Sequence, residues 1–252
     1  MAWCSLASAQ RPSDAGAASI IERARQRARQ YTQSLPDFDC TEVVRRHEER
    51  NTPDGAQSLL SDKLTIRTRY FEHREEQKLI LIDDRPTDRT LESLQGVVST
   101  GEFGATLSAI FDPASETAFH WESWKTVRRH RVGVFSYVVD VAHSRYNLRT
   151  AVARVGHEAI VGYHGALEVD VETGEALHFT YVADHIPKEM ALQSTSTTVD
   201  YDFADIGGRD YLLPMRSETQ MYTSESSVKN KMEFTLYRKF SADSVIDFGP
   251  GK

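Results

Sequence analysis

The stretch that most limits what this chain can fold into is residues 160–182, IVGYHGALEVDVETGEALHFTYV. Val161, Tyr163, Leu167, Val169 and Val171 share one parity, and His164, Glu168 and Asp170 fall on the other. Period-two alternation of this kind belongs to a strand with one buried face and one wet face. Glu172-Thr173-Gly174-Glu175 breaks the run, with Gly174 supplying the positive φ that a tight turn needs. Leu177, Phe179 and Tyr181 then resume the pattern on a returning strand. The expectation is a long antiparallel hairpin with Leu167, Val169 and Val171 inside and Glu168 and Asp170 in water.

Most of the chain repeats this pattern. Upstream, Ser13 or Asp14 can cap a helix whose apolar stripe is Ala17, Ile20, Ile21, Ala24, Ala28 and Tyr31. Arg23, Arg25, Arg27 and Arg29 cover the rest, as a solvated helix face or as a face toward an anionic lipid surface. Pro36 ends the helix. Strands are expected at Cys40–His47, Lys63–Phe71 and Leu79–Ile82, with a turn at Asn51 to Gly55.

Ser99-Thr100-Gly101-Glu102 has the form of a capping box. It precedes a short helix, Phe103–Phe111, with Phe103, Leu107, Ile110 and Phe111 on one face and a stop at Asp112-Pro113. A short amphipathic helix among strands must pack on the sheet, as core filler or as a lid over a cavity. Strands return from Ala118 to Leu148 through Phe119, Trp121, Trp124 and Phe135, with Arg128 to Arg131 as an exposed turn. Further alternation surrounds Val199, Tyr201 and Phe203, and later Met232, Phe234 and Leu236. No internal repeat and no long linker divides residues 13–252, which read as one domain.

Composition excludes several classes of function. With 252 residues and 40% of them hydrophobic, the chain can bury a core. A formal charge of -7 and a pI near 5.7 argue against a nucleic-acid binder. No run approaches the roughly 20 apolar residues of a membrane span. Ala7-Ser8-Ala9 has the small-x-small form of a signal-peptidase site with Gln10 as the mature start. Residues 1–12 thus read as the tail of a signal peptide or as a disordered N-terminus. Trp3 before Cys4 argues against lipidation, and a Cys4–Cys40 disulfide is possible only in the uncut chain. After cleavage Cys40 is a small hydrophobe or a free thiol.

Nine histidines form no metal-ligand spacing, although His120 and His130, or His178 and His185, could approach one another in the fold. There is no G-x-S-x-G elbow, and Cys40 has no His nearby in sequence to activate it. Gly101 and Gly104, like Gly207-Gly208, are too short for phosphate loops. Glu168 and Asp170 could form a carboxylate pair, but solvation is the simpler reading. No catalytic residue, metal site or cofactor is therefore expected. What remains is aromatic: eleven Phe, ten Tyr and three Trp, able to fill a concave sheet face or line an apolar pocket. The candidate ligand-binding residues are Phe103, Leu107, Ile110, Phe111, Trp121, Trp124 and Phe135.

Leu167-Glu168-Val169-Asp170-Val171-Glu172-Thr173-Gly174-Glu175-Ala176-Leu177 resembles the "(apolar)-x-Asp-x-x-Thr-Gly-x-x-Leu" hairpin of the LolA/LolB-like superfamily of periplasmic lipoprotein carriers. That superfamily includes RseB-type sensor domains and lipid-binding mycobacterial lipoproteins. The order of helix, strands, mid-chain helix and strands is similar too, from about Ala17 to Phe248. Ser99–Gly104 also resembles the STGEFG segment of a group of secreted bacterial proteins. The resemblance implies an α+β fold, a curved antiparallel half-barrel with an N-terminal helix and a short mid-chain helix on its concave face. It implies a periplasmic or secreted, non-catalytic binder of a lipid, hydrophobic ligand or acylated protein. The alternatives are a sensor or protein-interaction domain with a plugged groove and an envelope protein as partner, and a hydrolase with a dispersed site.

Overall fold

The computed structural model describes residues 11–53, 55–72, 74–94, 103–152 and 155–240. Ala7-Ser8-Ala9, Cys4 and the capping-box residues Ser99 to Glu102 lie outside them. Helix α1 runs Asp14–Ser34, and the Ser13 hydroxyl accepts a hydrogen bond from the Gly16 amide at 3.1 Å, as its position as N-cap requires. Ile20, Ile21, Ala24 and Ala28 are buried along its stripe. The arginine face is only partly solvated. Arg27 Nε donates to the Thr173 carbonyl at 2.9 Å, and Arg25 pairs with Glu22 at 2.9 Å.

Fifteen residues, Phe38–Thr52, form β1, followed by β2 (Gly55–Phe71), β3 (Arg74–Ile82) and the short β4 (Arg85–Pro86). Helix α2 is Ala105–Phe111. Then come β5 (Ala118–Val127), β6 (His130–Val139), β7 (Asn147–Val152), β8 (Val155–Ile160), β9 (Gly162–Asp170) and β10 (Ala176–Asp184). The last three are β11 (Leu192–Asp205), β12 (Asp210–Thr223) and β13 (Ser226–Lys239). Strands β7 and β8 pair only with each other. The other eleven make one curved antiparallel sheet, ordered β4-β3-β2-β1-β13-β12-β11-β10-β9-β6-β5 and not closed into a barrel. Register shifts in β1, β2, β5, β10 and β11 supply the bulges that bend such a sheet.

One register row shows why this sequence makes one inner face. Ile82, Leu64, Val44, Met232, Ser217, Val199, Phe179, Leu167, Phe135 and Trp121 lie side by side from β3 to β5. Nine of the ten are apolar, so each strand's alternation is in phase with its neighbours'. A slip of one residue in any strand would turn its apolar set outward.

The connection from β4 to β5 joins the two edges of the sheet and therefore has to cross it. Its residues divide between two core clusters. Leu91, Leu94 and Phe103 pack with Phe38, Leu64, Ile66 and Met232, whereas Leu107, Ile110 and Phe111 pack with α1, Phe135, Leu167 and Phe179. The helix expected at Phe103–Phe111 begins at Ala105, because Gly104 sits at φ 100, a left-handed conformation that cannot continue a right-handed helix backwards. Phe103 thus precedes the helix and belongs to the other cluster.

The expected hairpin is present as β9 and β10, with Gly174 at φ 77. Leu167 and Val169 are fully buried and Val171 is half-buried at the start of the turn. The expectation that Glu168 and Asp170 face water is overturned. Both lie on the outer parity, but they are only 9% and 2% exposed. Lys125 Nζ meets Glu168 at 2.7 Å, and His130 Nδ1 meets Asp170 Oδ2 at 2.5 Å. The second Asp170 oxygen accepts from the Glu172 and Thr173 amides at 2.7 and 3.1 Å and so shapes the turn. Val132, directly opposite Asp170, is also fully buried, so this corner of the outer face is covered. Parity gives the face a residue occupies, and a neighbouring strand decides whether that face is wet.

Candidate ligand-binding cleft

Helix α1 lies against the β9–β10 turn so closely that a Cβ on Gly174 would stand 2.9 Å from Arg23 Cβ. Where α1 diverges from the β11–β12 hairpin, a cleft of about 300 Å³ opens. Ala24 and Ala28, four residues apart on one helix face, leave room that larger side chains would fill. Leu107 of α2, Ala176 of β10 and Leu212 of β12 complete an apolar wall, with Phe203 and Tyr211 at the hairpin end. Phe203 is 41% exposed, unusual for a side chain of its size in this fold. Arg27, Gln30, Ser34, Glu175, Arg209 and Asp210 ring the cleft, and the Arg209 guanidinium sits 5.3 Å above the Tyr211 ring. An apolar recess with a polar rim suits an amphiphile better than a fully polar solute.

Tyr31 closes the cleft toward the second cluster, its ring edge-on to Tyr201 at 6.1 Å. Burial, followed by the charges of Tyr70, Glu75 and Glu175, pushes its phenol well above the ordinary tyrosine value. Tyr31 is therefore neutral across the physiological range and cannot serve as a base. On the far side of the α1–α2 contact, Ala28, Gln33, Ser108, Phe111 and Pro113 border a second hollow of about 410 Å³.

Of the seven residues singled out in the sequence, Leu107 lines the cleft. Ile110, Phe111 and Phe135 lie at 0%, 2% and 1% exposure inside the same cluster. Trp121 and Trp124 are half-buried on the edge strand β5, with ring centroids 4.5 Å apart and Arg131 stacked 3.9 Å over Trp124. Phe103 is separated from all of them in the β1–β2–β13 cluster. Sequence reasoning passed over Ala24, Ala28, Phe203, Tyr211 and Leu212. The signal available was Ala24 and Ala28 at helical spacing, small residues on a face otherwise carrying Ile20, Ile21 and Tyr31.

Three histidines take carboxylate partners across strands, His130 with Asp170 among them. His178 Nδ1 is 2.7 Å from Asp200, and His164 Nδ1 is 2.7 Å from Asp184. Among the described residues no group of three or more His, Cys, Asp or Glu is arranged to hold a metal. Cys40 is buried, and burial first, then Glu42, Asp39 and Glu75, pushes its thiol far above the ordinary value. Such a thiol is a poor nucleophile. No described helix is long and apolar enough to cross a membrane.

No protein-family model matches the chain, and no curated protein matches its sequence. Solved structures similar to it include a DUF1329 family protein from Desulfovibrio piger, at 11% identity and TM-score 0.44 over 89% of this chain and 93% of that one. A LolA superfamily protein from Nitrosomonas europaea is similar at 12% identity and TM-score 0.36, over 89% and 94%. A domain described as an outer membrane lipoprotein-sorting protein, from Vibrio parahaemolyticus, is similar at 11% identity and TM-score 0.37, over 88% and 92%.

Proposed function

We propose that this chain is a non-catalytic binding protein of the bacterial envelope that takes the apolar portion of a lipid or acylated protein into the cleft between α1 and the β11–β12 hairpin. The observation that carries this reading is the cleft itself: Ala24, Ala28, Leu107, Ala176 and Leu212 form an apolar recess of about 300 Å³ at a rim of mixed charge. That volume is at the lower bound of small-molecule sites, about 300 Å³, and fits one chain rather than a bulky polycycle. The cleavage-like Ala7-Ser8-Ala9 and the resemblance of the Thr173-Gly174 hairpin support export.

Leu107 connects the two roles considered for α2. It is 3% exposed, as core filler is, and it also forms cleft wall. Small outward movement of α2 would join the cleft to the hollow beside Phe111 and lengthen the recess along the helix seam.

Uptake of a fluorescent fatty acid by delipidated protein tests the reading. Gln30 is exposed at the rim, so Gln30→Trp narrows the entrance and changes stability by no more than about 0.5 kcal/mol. Saturable uptake that weakens in Gln30→Trp is expected. Wild-type protein that takes up no apolar probe would end the proposal.

A further inference from the structure

The outer face of β2, β1 and β13 carries a feature unrelated to the cleft. Lys63, Arg45 and Lys231 stand directly opposite one another across the three strands. In the next row along the same face, Ser61, His47 and Lys229 do the same. Five of these six adjacent positions are basic, the sixth is a hydroxyl, and none is acidic, in a chain whose net charge is -7. The six residues border a shallow depression of about 550 Å³, whose wall also includes Arg46 with its partner Asp62, and Asp83. They lie on the face opposite Val44, Leu64 and Met232, so the core does not dictate their chemistry.

Like charges directly opposite on neighbouring strands are destabilising. Each basic group here is steadied by a carboxylate at the rim of the block. Lys63 reaches Asp84 at 2.6 Å, Arg45 reaches Glu233 at 3.1 Å, and Lys229 reaches Glu218 at 2.8 Å. His47 is 2.8 Å from Glu49, and Lys231 is 3.9 Å from the same Glu218 that Lys229 holds. These pairs are solvent-exposed, and exposed pairs contribute little and exchange readily. One carboxylate shared by two lysines leaves Lys231 the least engaged. An incoming anion therefore has to exchange with these rim acids, and Lys231 is the cation from which it displaces least.

We infer that this block is a binding site for a phosphate-bearing anion, with Arg45, Lys63 and Lys231 as the principal contacts and Lys229, His47 and Ser61 beside them. Three strands spaced about 4.8 Å apart present their cations over about 10 Å, which suits two phosphate groups rather than one. Arg45 supplies a planar fork for paired oxygens, and the lysines supply movable point charges. A bisphosphate solute and a lipid head group share that chemistry.

The test uses two probes: inorganic pyrophosphate by titration calorimetry, and phosphatidylglycerol against phosphatidylcholine vesicles by sedimentation. Wild-type protein is expected to bind pyrophosphate or the anionic vesicles and to lose that binding as salt screens the charges. Lys63→Gln with Lys231→Gln should weaken it by at least about tenfold, the loss of two charge-assisted contacts. Removing two like charges leaves the unfolding midpoint unchanged or raised, which separates lost binding from lost folding. Lys188→Gln with Lys239→Gln changes net charge equally at exposed sites away from the block. Binding of pyrophosphate assigns a soluble phosphate ligand, and binding of vesicles alone assigns a lipid head group. No binding of either probe, or an equal loss in the two double variants, overturns the site.

Discussion

The inner face of the sheet is covered in two different ways, and the contrast locates the cleft. Over β1, β2 and β13 the cover includes the helical turn Leu91–Ser93, the end of α1 at Leu35 and the ring of Phe103, whose centroid lies 5.4 Å from Phe38, 5.4 Å from Phe234 and 6.4 Å from Tyr70. Over β6, β9, β10 and β11 the cover is a pair of helices, α1 and α2, meeting at Ala24, Ala28 and Leu107. Rings interlock face to edge and leave no room. The helices touch through small side chains, and the recess lies beside that contact, between α1 and the β11–β12 hairpin. One sheet therefore carries a sealed half and a half that can open.

Substitutions at matched positions in the two halves should break or sharpen that contrast. The largest effect is expected for Phe103→Ala. Phe103 is 2% exposed amid three aromatic partners, so truncation leaves a cavity nothing can refill and costs about 3–5 kcal/mol in denaturant unfolding. A loss below 1 kcal/mol would show the half to be less tightly sealed than its geometry implies.

Leu107→Ala, the counterpart under the helices, should cost less, about 2 kcal/mol, because one side of Leu107 already borders open volume. It should also change fatty-acid uptake, whereas Phe103→Ala at temperatures where it stays folded should leave uptake intact. Equal stability losses together with unchanged uptake in Leu107→Ala would make α2 core filler and nothing more.

The smallest effect concerns acid. The Asp200 carboxyl is held below its ordinary value chiefly by the hydrogen bond with His178, despite partial burial. A carboxyl whose pKa is lower folded than unfolded stabilises the fold above the unfolded value, and that contribution disappears as pH falls through the folded value. Asp200→Asn should therefore be slightly less stable than wild type near neutral pH, and the two should converge as pH falls through the folded value. The Asp200 side chain is 46% exposed, so solvent screening keeps the difference under about 1 kcal/mol. A difference that grows as pH falls would contradict the assignment.

Much of the fold was legible because burial on one face writes itself into period two. Lys63–Phe71, the β9–β10 hairpin and the stripe of α1 all carried that mark. The first strand was read as ending at His47 because residues 48–52 carry no apolar alternation, and within it two inward positions are charged. Glu42 and Arg46 are 1% and 4% exposed on the inward parity of β1, with Thr68 and Gln77 hydrogen-bonded to Glu42 and Asp62 paired with Arg46. No local pattern distinguishes such buried polar groups from solvated ones, and the same blindness misplaced Glu168 and Asp170.

The cleft was less legible still. Aromatic content pointed to Phe103, Phe111 and Phe135, which fill space, but a recess is made by what is small. Ala24 and Ala28 carry no chemical signature of their own. Their meaning comes from Leu107 and Leu212, which are distant in sequence and adjacent only after folding.

Strand β13 carries a consequence for how the molecule assembles. It lies between β1 and β12 and, among the described residues, is the one strand joining the β4-β3-β2-β1 block to the β12-to-β5 block. Each block can pair largely between sequence neighbours, as β1 with β2 and β11 with β12 do. The seam of β1 with β13 instead unites residues such as Phe38 and Lys239, and Arg50 and Ser226. Closing so long a loop costs entropy before any contact repays it, and such pairings slow folding. β13 pairs locally with β12, so the two blocks can form as separate ribbons whose facing edges, β1 and β13, stay unpaired until the seam closes. During that interval the chain presents two sticky edges of the kind that invite strand exchange with another copy.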